Sequence, residues 1–76
     1  MAETITPFER RLLGELVDSD DVTPATLAFE LDADFQRVLD AVASLRERGL
    51  LARAGFSTCR LTERGRETLT ATDRSD

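Results

Sequence analysis

The chain has 76 residues, with ten arginines against fifteen carboxylates, no lysine, no histidine and one cysteine, Cys59, for a formal net charge of −5. That length makes one small domain with a marginal core, a size that often gains stability by dimerising. A lone cysteine without histidine excludes an intramolecular disulfide and a zinc site of the Cys/His type.

No apolar run reaches the length of a membrane span or a signal-peptide core, so the expectation is a complete cytoplasmic chain. The lysine-free acidic composition points to a GC-rich genome, or to a salt-accumulating halophile. The charge is unevenly placed: residues 1–45 hold ten acids and three arginines, residues 46–76 seven arginines and five acids. Overall acidity disfavours nonspecific adhesion to DNA, whereas the C-terminal half keeps enough cations for a local basic strip.

Residues 1–5 read as a flexible lead-in. Thr6-Pro7-Phe8-Glu9 is a helix start with Thr6 as N-cap, Pro7 at the first helical position and Glu9 closing a capping box. Phe8, Leu12, Leu13, Leu16 and Val17 then recur at helical spacing, up to the acidic break Asp18-Ser19-Asp20-Asp21. Thr23-Pro24 repeats the start signal for a short helix to Leu31, with Leu27, Ala28 and Leu31 inward. Asp32-Ala33-Asp34 forms a tight turn whose last residue caps a third helix, Phe35 to Arg48, and Gly49 suits the left-handed position that ends it. Residues 50–54 and 56–61 read as two short strands around Gly55. Thr62 caps a last helix to Ala71, in which Gly65 costs about 1 kcal/mol relative to alanine. Residues 72–76 read as a flexible tail.

Helix, short helix, tight turn, longer helix, hairpin and helix make an α+β, mostly helical, winged helix-turn-helix over residues 6–71. Thr23-Pro24-Ala25-Thr26-Leu27-Ala28, then Val38, Val42 and Leu45, then Arg48-Gly49-Leu50-Leu51 and Arg60-Leu61-Thr62-Glu63-Arg64-Gly65-Arg66 carry a resemblance. They resemble the small winged-helix regulators of archaea, closest to the haloarchaeal phage-repressor-like group. The multiple-antibiotic-resistance regulator superfamily is the broader relative. The resemblance covers about residues 6 to 70 and implies a third helix that enters the major groove of double-stranded DNA.

On a helical wheel Phe35, Val38, Leu39, Val42 and Leu45 form the expected core face. Arg37, Asp40, Ala41, Ser44 and Arg48 form the opposite strip, flanked by Gln36. Arg37 can pair bidentately with guanine, Gln36 with adenine, and Asp40 can accept from a cytosine amino group; Ser44 can take a phosphate or a base edge. Asp40 can equally pair with Arg37 one turn away, and the whole strip reads equally as a solvated face or a protein contact. In the hairpin, Arg53 and Arg60 with Ser57 and Thr58 suit contact with the DNA backbone or minor groove, or a charge-guarded edge. Arg64 and Arg66 sit in the first turn of the last helix, where their charge opposes the helix dipole.

Phe29 projects away from Leu27 and is expected to be exposed, either as a minor packing residue or as a dimer or partner contact. Cys59 is expected inside the hairpin as a small apolar residue. With no histidine, glycine-rich phosphate loop, nucleophile–base pair or metal constellation, the chain does not read as an enzyme, and no cofactor or small-ligand pocket is expected. Two functions follow: a sequence-specific DNA-binding transcriptional regulator, acting as a homodimer on a palindromic site, or a winged-helix adaptor that binds protein. A contiguous patch of Arg37, Arg48, Arg53 and Arg60 favours the first; a patch broken by Asp34 and Asp40 favours the second.

Overall fold

The computed structural model describes residues 4–17, 22–53, 55 and 58–74, with side chains to residue 71. In chain order it contains α1 (Pro7–Val17), α2 (Pro24–Leu31), α3 (Phe35–Glu47), β1 (Leu51–Arg53), β2 (Cys59–Leu61) and α4 (Glu63–Arg74). The two strands pair antiparallel, Leu51 opposite Leu61, Ala52 opposite Arg60 and Arg53 opposite Cys59. This is a winged helix. Leu50 and Thr58, expected within the strands, lie outside them, and α4 runs three residues beyond Ala71. Residues 1–3, the acidic break at 18–21, Ala54, Phe56, Ser57, Ser75 and Asp76 lie outside the described residues. Ile5, at the end of the expected lead-in, is half-buried against the core.

Each helix start is set by the hydroxyl or carboxylate that the sequence places there. The Thr6 amide donates to Glu9 Oε1 at 2.9 Å while the Glu9 amide donates to Thr6 Oγ1 at 3.1 Å, a closed capping box. Thr23 Oγ1 accepts from the Thr26 amide, with Pro24 at the first helical position. Asp34 Oδ2 accepts the amides of Gln36 and Arg37.

The helix ends are equally specific. After α2, Asp32 takes φ +52°, and the amides of Asp32 and Ala33 donate back to the carbonyls of Phe29 and Ala28. That six-to-one, five-to-two pattern closes the last turn of α2 and aims the chain into α3 within three residues. After α3 the same pattern recurs: Gly49 at φ +82° donates to the Arg46 carbonyl, and Leu50 to the Leu45 carbonyl.

The core joins Leu12, Leu13 and Leu16 of α1, Leu27 and Leu31 of α2, and Val38, Val42 and Leu45 of α3 with Leu50, Leu51, Cys59 and Leu61 of the wing. Burial of each large aliphatic side chain contributes on the order of 1.5–3 kcal/mol. Two expected core residues sit elsewhere: Phe35 is 49% exposed and Leu39 half-buried, because the buried stripe of α3 centres on Val38, Val42 and Leu45. Val22 adds a bridge to Cys59, with amide–carbonyl bonds in both directions, so β2 is flanked on both sides.

α4 docks through Gly65. A Cβ built there lies 2.3 Å from the Leu50 carbonyl oxygen and 2.7 Å from Leu61 Cδ1. At Gly14 in α1, by contrast, a Cβ meets nothing within 4 Å. The same substitution therefore has opposite signs at the two sites. Gly14→Ala is expected to stabilise the fold by about 0.5–1 kcal/mol, through helix propensity. Gly65→Ala is expected to destabilise it by roughly 2 kcal/mol or more, overpacking outweighing propensity. Urea unfolding of the two variants checks both signs.

Candidate nucleic-acid interface

The geometry of α3 follows from its buried stripe. With Val38, Val42 and Leu45 inward, the 3.6-residue period turns Gln36, Asp40, Ala43 and Glu47 outward. All four are exposed. The strip expected from the sequence to face outward, through Arg37, Ala41, Ser44 and Arg48, lies about a quarter turn away, on the flank that leans towards α1. Ala41 packs on the core, Ser44 is half-buried, and only Arg37 of the four is exposed.

On the outward face the Gln36 side-chain amide donates to Asp40 Oδ1 at 3.0 Å. Asp40 thus pairs with Gln36 and not with Arg37. The bond orients the Gln36 amide and leaves its carbonyl oxygen and second N–H for a ligand. Both residues sit in the first half of α3, the part that meets base edges when such a helix enters a major groove.

The α1-facing flank holds the two arginines of the expected strip. The Arg37 guanidinium lies over the Phe8 ring, 4.2 Å from its centroid. Arg48 Nη1 donates to Glu9 Oε2 at 3.1 Å, and Nη2 donates to the Thr4 carbonyl. Glu9 therefore caps its own helix with one oxygen and holds Arg48 with the other. Arg48 is half-buried at the C-terminal cap of α3 and so leans on α1, where the sequence suggested an outward-facing strip.

The opposite flank of α3 faces the wing across an open cleft of about 460 Å³, a feature that no pattern in the sequence announces. Pro24, Phe35, Leu39, Val42 and Ala43 supply apolar wall, and Arg46, Arg53, Thr58 and Cys59 the remainder. Arg46 was missed in the sequence because it falls outside a wheel centred too far towards Phe35. Centring on Val38, Val42 and Leu45 places it beside Phe35 and Leu39.

The hairpin register separates its two arginines. Arg53 shares the face of Leu51, Cys59 and Leu61 and lines the cleft; Arg60, opposite Ala52, points to the other face and is exposed. Thr58 Oγ1 is enclosed and, among the described residues, has no hydrogen-bond partner, so this hydroxyl does not point outward. The proposed contact Ser57 lies outside the described residues. Arg37, Arg48, Arg53 and Arg60 do not form one patch: two lean on α1, one faces the cleft and one the outer side of the wing. Phe29 stands on α2 with 84% of its surface exposed.

Cys59 is buried between β1 and Val22. Burial pushes its thiol above the ordinary 9.0, while the guanidinium groups of Arg46 and Arg53 pull more weakly the other way. Among the described residues, no group of three or more His, Cys, Asp or Glu converges as a metal site.

No protein-family model and no curated protein matches the chain. Solved structures do. The chain is similar to a MarR family transcriptional regulator of Silicibacter pomeroyi, at 32% identity over 93% of this chain and 55% of that one, with a TM-score of 0.80. It is similar to a MarR family protein of Mycobacterium tuberculosis, at 26% identity over 92% and 53%, TM-score 0.83. The multiple antibiotic-resistance repressor of Listeria monocytogenes shares the fold at 15% identity over 93% and 51%, TM-score 0.86. The chain spans about half the length of each of these structures. Both the Silicibacter and the Listeria structures are transcription regulators of the MarR type.

The composition makes the Cys59 environment measurable. With no lysine, tyrosine or histidine, Cys59 is the sole side chain titrating between about pH 7 and 11. Its pKa is raised in the folded state, so its contribution is fully present below the unfolded thiol's value and is lost as pH rises through the folded one. Unfolding free energy is expected to fall from about pH 9 upward. In Cys59→Ala that alkaline decline should flatten, as read by urea titrations across pH.

Proposed function

We propose that this chain is the DNA-binding module of a MarR-type transcriptional regulator. In this reading α3 lies in the major groove with Gln36 and Asp40 towards base edges. The wing meets the backbone or minor groove through Arg53 and Arg60. The observation that carries it is the unit of α2, a three-residue turn and α3, which leaves the Gln36–Asp40 face of α3 uncovered beside a two-arginine hairpin. The likeness to MarR-type regulators supports the same reading. A homodimer on a palindromic site fits it, because a module this small doubles its contact area by pairing. The acting compartment is then the cytoplasm. Among the described residues, no helix is long and apolar enough to cross a membrane.

The haloarchaeal affinity belongs to this proposal too, on the strength of the lysine-free, acid-rich composition. At molar ionic strength the Debye length is about 3 Å, so such a protein binds DNA by close contacts and gains little from long-range attraction. If the surface is adapted to that setting, the thermal unfolding midpoint rises from dilute buffer to molar KCl, as carboxylate repulsion is screened.

A second reading, a protein-binding adaptor, draws on the exposed Phe29 and on the dispersal of the four arginines. Selection of random duplexes by the full chain in molar KCl separates the two. The regulator reading expects an enriched motif whose recognition Gln36→Ala weakens at one position by about 1–3 kcal/mol. Failure to enrich any motif at any salt concentration favours the adaptor.

A further inference from the structure

Arg37 differs from the other arginines of α3 in what its guanidinium touches. Its Cζ lies over the Phe8 ring, 4.2 Å from the centroid. A guanidinium held over a ring by cation–π attraction keeps N–H donors to spare, since it carries five of them. The carboxylates that flank Arg37 in sequence, Asp34 and Asp40, have other partners. Asp34 Oδ2 accepts the backbone amides of Gln36 and Arg37, and Asp40 Oδ1 accepts the Gln36 amide. Among the described residues no carboxylate or carbonyl takes the Arg37 side chain, which is exposed.

Its position decides what those donors can meet. Gln36 and Asp40 occupy the face of α3 opposite the core, and Arg37 sits about a quarter turn from them, above α1. When the outward face of a helix points at base edges, a side chain on its flank meets the wall of the groove, which is phosphate. An arginine held on a ring loses little further rotamer freedom on binding, and its forked donors match a phosphate oxygen pair.

We infer that Phe8 positions Arg37 as a clamp for a backbone phosphate beside the major groove, and that Arg37 does not read a base. This inference rests on the DNA-binding reading above. It replaces the guanine contact that residue type alone suggests. It also gives α1 a part in recognition: Phe8 is the positioning residue and touches no DNA itself.

The test uses the full chain, its selected duplex and an unrelated duplex, titrated over a series of KCl concentrations. Arg37→Ala is expected to weaken binding to both duplexes by a similar factor, about tenfold, and to lower the slope of log K against log [KCl] by about one. Phe8→Leu, which keeps apolar volume and removes the ring, is expected to weaken binding about threefold when Arg37 is present and not at all in the Arg37→Ala background. Phe8→Tyr restores wild-type affinity and slope. Should Phe8→Leu lower the unfolding midpoint, Phe8→Met takes its place as a flexible filler of the same site.

Two results overturn the inference while leaving DNA binding intact. One is an Arg37→Ala variant that loses discrimination between the duplexes with an unchanged salt slope, which marks a base reader. The other is an equal loss from Phe8→Leu with and without Arg37, which marks a purely structural ring. A wild-type chain that binds neither duplex overturns the DNA-binding reading, and this inference with it.

Discussion

The relation between the helix-turn-helix and the wing depends on the peptide group of Leu50. Its amide donates to the Leu45 carbonyl and closes α3; its carbonyl accepts the Thr62 amide at 3.2 Å and receives the start of α4. The Thr62 hydroxyl donates to the Gly49 carbonyl at 2.7 Å and accepts the Gly65 amide at 3.0 Å. Gly65 lets α4 approach to a distance at which no side chain fits. Both strands of the wing leave this junction, β1 one residue after Leu50 and β2 one residue before Thr62. The angle between wing and α3, and hence the cleft between them, is set here by backbone hydrogen bonds. A buried and fully paired backbone junction resists change more than a contact between exposed side chains does.

The acidity of the chain takes on a different meaning once its carboxylates are placed. Asp34 is the N-cap of α3, Glu9 closes the capping box of α1 while holding Arg48, and Asp40 orients Gln36. None of these is surplus negative charge waiting to repel a phosphate. Asp34 and Asp40, which in the sequence interrupt the arginine patch, have partners of their own. A formal count of charge around a helix therefore overstates the repulsion, since a carboxylate that accepts two amides spreads its field into the helix end it caps.

The fold was legible because its elements are signalled locally. Thr6, Thr23, Asp34 and Thr62 before their helices, and Gly49 after α3, mark boundaries through hydroxyl, carboxylate and left-handed chemistry that act within four residues. The site was less legible, for a geometric reason. Phe35 and Leu39 look like core by residue type, and including them rotates the inferred outward face towards Arg37 and Arg48. The buried stripe is narrower, because Pro24 and the wing leave a cleft over Phe35 and Leu39 instead of closing on them. That decision is tertiary. The Val22–Cys59 bridge and the contact of Gly65 with Leu50 are tertiary in the same way, joining residues far apart in sequence.

The three sides of α3 then divide their work by chemistry. The buried stripe fixes the helix, the outward face carries neutral and acidic hydrogen-bonding groups, and the cations stand on the flanks. Arg37 and Arg48 hold the α1 side; Arg46 and Arg53 border the cleft. Such a division suits a helix in a groove, where the floor presents donors and acceptors and the walls present phosphate. It also suits binding under strong screening. Once attraction at a distance is lost, affinity depends on groups already held in the geometry they need, because ordering them during binding would consume much of the contact energy. Arg37 on its ring and Gln36 on its carboxylate are both held in the free chain, and each is held by a residue that needs no contact with DNA.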